Sequence, residues 1–315
     1  MFSAFAYGYR RILCAAAAST VLCVCSMGTL AQEKLGEPIY RVANDASAVA
    51  ATPVAQAVAP AGTPAAAAAP GAEPAKFEFD LEQKPGEHPL MPVIRTVKAS
   101  QAEFDRTIQD YQCQLTKQER IDGQLGEKQM ILLKVKDNPF SVYMSFLKPF
   151  AGREVAYVAG QNEGKLVVLD AGYKRMLGKM NLDPTGTLAM KGQKHPITNV
   201  GIRNLTVKLL KMWEAETKFG ECEVTTNAGP KIAGRPATML QVVHPVPRQD
   251  FKFHVARLFI DNELKIPVHF DAFLWPEQAG AEPPLEESYT YTNLKLNNGF
   301  TAREFDANNN PDIFK

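Results

Sequence analysis

From residue 77 onward the apolar positions fall into two periods. Leu90, Ile94, Val97, Phe104, Ile108 and Tyr111 recur at steps of three and four, with one longer gap. That is the stripe of an amphipathic helix, with Lys98, Gln101, Asp105 and Gln109 largely outside it. The period then drops to two. In Phe140–Leu147, Phe140, Val142, Met144 and Phe146 alternate with Ser141, Tyr143 and Ser145, which predicts a half-buried strand. Tyr111–Ile121 and Lys128–Val135 read as a hairpin turning at Asp122-Gly123 and Gly126. Arg153–Val158 and Lys165–Ala171 follow, split by a turn at residues 160–164.

A second helix is expected after Asn199, running to about Lys218. Pro196 to Asn199 offer its cap, Ile202, Leu205, Leu209, Met212 and Trp213 form its stripe, and Gly220 ends it. Five more strands follow: Glu221–Asn227, Ala237–Val243, Phe251–Asp261, Pro267–Trp275 and Glu287–Leu296. Helix, five strands, helix, five strands, with short turns, predicts an α+β domain built on an antiparallel meander.

The residues before this domain are of another kind. Arg10 and Arg11 precede an uncharged run, Ile12–Cys25, too short for a membrane span of roughly 20 residues. Gly28, Thr29, Leu30 and Ala31 follow, with small residues at the two positions a signal peptidase reads. This is the pattern of a Sec-type signal over residues 1–31, with cleavage after Ala31, and an uncleaved anchor is the alternative. Val24 before Cys25 and Leu22 before Cys23 are poor contexts for lipidation. Residues 32–76 read as a disordered linker: residues 48–75 are almost all Ala, Pro, Val, Gly and Thr, with Glu73 the sole charge. At about 3.1 Å per residue such a tether reaches on the order of 90 Å. The folded domain is then 77–315, exported to the periplasm or cell envelope, with membrane contact only through an uncleaved signal.

Composition narrows the function. With 45% apolar and 22% charged residues the chain can bury a sizeable core. A net charge of +1, with Glu119 interleaved between Lys117 and Arg120, gives no field for nucleic acid. No cofactor or metal motif is present: His88, His195, His244, His254 and His269 lack ligand spacing, although His254 and His269 on adjacent strands could be neighbours. No nucleophile elbow, P-loop or dinucleotide fingerprint occurs. Glu286-Glu287 and Asp105/Asp110 read as solvated surface, and no pair of titratable groups marks a cleft. The expectation is a protein that is not an enzyme. Cys113 and Cys222, left after signal removal, could form a disulfide or remain buried thiols, and the sequence leaves both open.

The apolar load points elsewhere. Strand aromatics and the Met residues at 180, 190 and 212 suit either an ordinary core or an adaptable apolar pocket. If a pocket exists, Val142, Met144, Phe146, Val155 and Tyr157 on the central strands should line it. Leu209, Met212 and Trp213 on the second helix, and Phe273 and Trp275 near the C-terminal edge, should join them.

Several strings carry a family resemblance: Tyr111-Gln112-Cys113 with Lys117-Gln118-Glu119-Arg120, Pro139-Phe140-Ser141-Val142-Tyr143, Gly152-Arg153-Glu154-Val155 with Tyr157, Leu182-Asp183-Pro184, and Glu287-Ser288-Tyr289-Thr290-Tyr291. Together they resemble the DUF1571 family over roughly residues 90–310. The helix and strand order is similar to the LolA/LolB and LppX-like superfamily. That resemblance implies a strongly curved antiparallel sheet, an unclosed half-barrel, with helices covering the concave face. It also implies a binding protein that carries or senses lipid or lipoprotein acyl chains. The alternative is a non-catalytic envelope scaffold or sensor that binds another envelope protein. N-terminal sequencing of the protein from its host should read Gln32 first; an intact Met1 would establish the anchor instead.

Overall fold

The computed structural model describes residues 79–278 and 280–315. The signal and the whole of the linker expected from the sequence lie outside these residues. Helix α1 (Met91–Thr107) leads into β1 (Asp110–Ile121), the two-residue β2 (Gln124–Leu125), β3 (Gln129–Lys136), β4 (Ser141–Lys148), β5 (Glu154–Val158), β6 (Leu166–Leu169) and β7 (Lys179–Leu182). The short α2 (Thr187–Met190) and the longer α3 (Ile202–Glu216) intervene. The chain then forms β8 (Glu223–Asn227), β9 (Lys231–Ile232), β10 (Arg235–Val243), β11 (Val255–Asp261), β12 (Pro267–Phe273) and β13 (Leu285–Leu296).

All pairings are antiparallel, in the order β7-β6-β5-β4-β3-β1-β13-β12-β11-β10-β8, with β2 on β1 and β9 on β10. The first half of the chain runs outward from β1 to one edge. The second half starts at the opposite edge and returns inward to β13. The two edges, β7 and β8, do not pair, so the sheet is unclosed.

Curvature follows from what shares the core. Laid flat, eleven strands would span about 50 Å, whereas a helix is about 10 Å across. Yet inward residues from β3 and β4 (Ile131, Val142) and from β10 and β11 (Leu240, Leu258) belong to one core with Val93 and Val97 of α1 and Leu209 and Trp213 of α3. Two helices can meet both halves only if the sheet curls around them. The half-barrel with helices on its concave face is therefore the fold.

Helix α1 ends four residues earlier than its apolar stripe. Ile108 N–H still donates to the Phe104 carbonyl, but Tyr111 is an inward residue of β1. It continued the helical spacing because both elements direct that side chain into the same core. The gap in the stripe is filled by Ser100, which is buried and donates to the Lys265 carbonyl at 2.6 Å. The expected cap at residues 196–199 is also corrected. Those residues form a 3-10 turn, and α3 starts after Gly201, whose φ is 110°. The Ile202 N–H donates to the Tyr111 hydroxyl at 2.9 Å. A Cβ on Gly201 would lie 3.0 Å from that hydroxyl, so glycine is required twice over, by conformation and by space.

Strand β4 is not half-buried: Ser141 and Tyr143, expected to face solvent, are buried beside Val142 and Met144. The chain after β13 folds back over the outer face, where Tyr143, Ala156 and Leu169 meet Phe305, Ile313 and Phe314. Asp110 anchors this tail. It is 3% exposed, not solvated, and its carboxylate accepts the N–H groups of Asn298, Gly299 and Phe300 at 2.6–3.0 Å. Strand β7 was not legible, being four residues long with only Met180 and Leu182 apolar.

Cys113 and Cys222 are both free thiols. Cys113 faces the core from β1 and Cys222 precedes β8, with four strands between those two in the sheet. Burial pushes the Cys113 thiol well above its ordinary range and, with Glu216, pushes Cys222 up to about 11. His254 and His269 are not neighbours either. His269 pairs with Phe259, whereas the His254 N–H reaches the Phe273 carbonyl near the far end of β12.

Replacing Tyr111 with Phe leaves the Ile202 N–H without its acceptor in the core. Urea unfolding should show a loss of about 1–3 kcal/mol, the cost of a buried unsatisfied donor. An unchanged midpoint would show that the hydroxyl contributes nothing there.

Candidate functional site

The register between β1 and β13 sets the floor of a cavity. The inward phase of β1 begins apolar, at Tyr111, Cys113 and Leu115, and then continues as Lys117 and Glu119. Lys117 stands opposite Tyr289 and Glu119 opposite Glu287 on β13. Met144 and Phe146 of β4, Val155 of β5, Leu166 and Val168 of β6, and Met180 and Leu182 of β7 make an apolar wall. The segment from Pro184 to Gly201, which includes α2, and Leu205 and Lys208 of α3 form the opposite side. The enclosed space is about 640 Å³, within the range of small-molecule sites.

Of the residues expected from the sequence, Met144, Phe146 and Val155 line this cavity. Val142 shares their strand face but is fully buried in the core. Tyr157 packs beside Phe140, with ring centres 6.3 Å apart. Leu209 and Trp213 are buried among core residues and Met212 packs at that core's margin; Leu205 and Lys208 occupy the cavity positions of α3. Phe273 lies on the opposite phase of β12 from the inward Phe270 and Ala272, under the Arg257 guanidinium at 5.0 Å. Trp275 lies beyond β12, its indole N–H donating to the His244 carbonyl at 2.9 Å.

What the sequence reading missed is a polar cluster at one end of the cavity. Glu119 accepts from the Tyr289 hydroxyl at 2.7 Å, from Lys117 Nζ at 3.1 Å and from the Lys194 N–H at 3.1 Å. Lys117 also donates to Gln193 at 2.6 Å. His195 Nε2 lies 2.7 Å from Glu287 Oε2 and 2.9 Å from Lys208 Nζ. That nitrogen holds either a proton or a lone pair, so it donates to Glu287 or accepts from Lys208. Lys194 pairs with Glu286, the neighbour of Glu287. Glu286-Glu287 is thus no solvated pair: Glu287 is 1% exposed. The cluster ties the segment 193–195 to the sheet.

The carboxylates stay charged because donors surround them. Burial pushes both upward, but Lys117, Tyr289 and the Lys194 N–H hold Glu119 below the ordinary range, and His195, Lys208 and Lys194 do the same for Glu287. Burial lowers Lys208 against the pull of Glu287 and pushes the Tyr289 hydroxyl far up, so that it remains a donor. At the other end of α3 the balance differs. Glu216 is pushed up to about 7 by burial, and His244, 3.6 Å away, is pushed down by burial.

The cluster could have been flagged from phase. Lys117 and Glu119 continue the inward alternation of Cys113 and Leu115, and Glu287 and Tyr289 continue that of Tyr291. Polar residues on an inward phase are either paired or lining a cavity, and here they do both.

Glu287→Gln should destabilise the protein at neutral pH by about 2–3 kcal/mol, below the usual cost of breaking a buried pair because Lys208 and His195 keep some solvent access. A depressed carboxyl contributes stability that is present above the unfolded value of 4.5 and is lost as pH falls through the folded one. Urea midpoints between pH 3 and 7 should therefore fall less steeply toward acid in the variant. Parallel curves would show that Glu287 is not held in the charged form.

The chain is similar in fold to several solved structures. With Mycobacterium tuberculosis lipoprotein LppX it is 13% identical over 66% of this chain and 98% of that one, at a TM-score of 0.36. With the Pseudomonas aeruginosa MucA/MucB complex the identity is 17% over 66% of this chain and 60% of that one, at 0.37. With a LolA superfamily protein from Nitrosomonas europaea it is 9% over 67% and 97%, at 0.27. No curated protein matches the sequence. The family model described as "Protein of unknown function (DUF1571)" matches residues 108–314, and the chain belongs to that family.

Proposed function

We propose that this protein is an exported envelope protein that binds apolar chains, carrying or sensing lipid or lipoprotein acyl groups in the half-barrel cavity. One observation carries the reading: the concave face encloses about 640 Å³ between apolar side chains of β4–β7 and the segment that crosses over them. A core filled by its own side chains would have left no such space. Each methylene buried there would contribute about 0.8 kcal/mol without any directional contact. Met144 and Met180 add walls that adapt to chains of different shape.

Among the described residues the wall over β4–β7 is mainly apolar, and the carboxylates of the polar cluster accept from neighbouring donors. Among the described residues no helix is long and apolar enough to cross a membrane. A second reading, a scaffold that docks another protein, is favoured by one feature: Tyr173, Met176, Leu177 and Leu188 are 69–90% exposed.

Native mass spectrometry with lipid extraction, on the mature protein purified from its host envelope, tests both. Acyl species at near-stoichiometric amounts are expected. A clean apo mass, with no uptake of added fatty acid or lipopeptide, would overturn the carrier reading and favour the scaffold.

A further inference from the structure

We infer that the cavity selects an anionic amphiphile, with its alkyl chain among the apolar walls and its carboxylate or phosphate head at the mouth, beside Lys174 and Lys191. This rests on the reading that the cavity holds an acyl chain, and adds the chemistry of the head group.

The charge pattern of the lining carries it. Each carboxylate of the cavity has a cation assigned to it. Glu119 pairs with Lys117 at 3.1 Å, Asp170 with Arg153 at 2.8 Å, and Glu287, just behind the wall, lies 3.5 Å from Lys208. The interior is thus close to neutral, and buried opposite charges in that arrangement attract no further ion strongly. Lys174 and Lys191 also line the cavity, and both are exposed. Among the described residues neither forms an ion pair. Asp183, next to the lining Pro184, directs its carboxylate to the Thr185 N–H and hydroxyl at 2.7 Å. Lys174 helps to hold the Asp170 carboxyl below its ordinary range, but that carboxylate is already bonded by Arg153, so with Lys191 the lining carries more positive than negative charge toward the entrance.

The same entrance presents apolar surface. Leu177 and Leu188 line the cavity while remaining 69% and 72% exposed. Leu177 shares the 3-10 turn Gly172–Leu177 with Lys174, and Leu188 lies on α2, which Lys191 follows. Alkyl contact and positive charge are thus offered together on two segments. A chain with a neutral head gains only the first, and one with a cationic head meets repulsion.

Calorimetric titration of the mature protein with dodecanoate, dodecyl phosphate, dodecanol and dodecyltrimethylammonium, below their micellar concentrations, tests this. Both anions should bind about tenfold tighter than dodecanol in low salt, and the cation more weakly still. Comparing dodecanoate with dodecyl phosphate shows which anion is preferred. The doubly exchanged Lys174→Glu/Lys191→Glu protein, altered only at exposed positions, should lose the preference and keep its affinity for dodecanol. Equal binding of dodecanol and the anions, or a preference that survives the exchange, would overturn the inference while leaving the apolar cavity reading intact. Binding of none of the four would overturn both.

Discussion

Strand β1 pairs on one side with β3, its near neighbour in the chain, and on the other with β13, close to the C-terminal end. Every other strand contact in the main sheet joins neighbours within one half of the chain. The β1–β13 ladder is what turns two meanders into one sheet. It closes the longest loop of the fold, which costs entropy that grows only slowly with length. Eight aligned residue pairs and the inward side chains they bring together stand against that cost. The Tyr111 hydroxyl fastens the helix side to the same strand by receiving the first N–H of α3.

That ladder also explains why the cavity has a polar end. Antiparallel register sets Lys117 against Tyr289 and Glu119 against Glu287, all directed to the concave side. Four such groups in a low-dielectric space would be prohibitive singly. Together with His195, Lys208 and the Lys194 N–H they form a saturated network, and the segment that supplies those partners is held across the cavity as a consequence. The contrast with Glu216 is instructive. Both glutamates are buried against α3 or its partners, but Glu216 Oε2 lacks any hydrogen-bond partner among the described residues. Donors decide the protonation state; burial alone pushes both the same way.

The cavity itself comes from an asymmetry between the two halves of the sheet. Over β10–β12 the helices pack directly on the inward strand residues Leu240, Leu258 and Phe270, all fully buried. Over β4–β7 the covering element is the segment from Pro184 to Gly201, whose only helix is the four-residue α2. A short irregular cover cannot project side chains at the density of a helix face, and space remains beneath it. The C-terminal tail compensates on the outside, where Phe305, Ile313 and Phe314 cover the same strands and bury Tyr143. This half of the sheet is thus supported from its convex face while space remains on its concave face.

The sequence alone determined the element types and their order, because period 3.6 and period 2 are local properties of the chain. The ten expected strand segments all correspond to strands, with ends shifted by a few residues, as at Phe251, where β11 begins only at Val255. It also determined the inward phase of β4 and β5, and through that phase placed Met144, Phe146 and Val155 on the cavity wall, but it set Phe273 of β12 on the wrong side. What it could not decide was what lies opposite each phase. Tyr143 looked solvent-facing because the tail that covers it is more than 150 residues away in the chain, a separation seen in the hydrogen bond from Phe314 to Glu154. Glu287 looked like surface because its partners His195 and Lys208 come from a different segment. Leu209 and Trp213 share a stripe with Leu205, yet only the path of the cover settles which turn of α3 meets space and which meets core. Periodicity is carried along the chain, whereas burial, charge pairing and empty volume depend on what the fold places across from a residue, and only the tertiary structure supplies that.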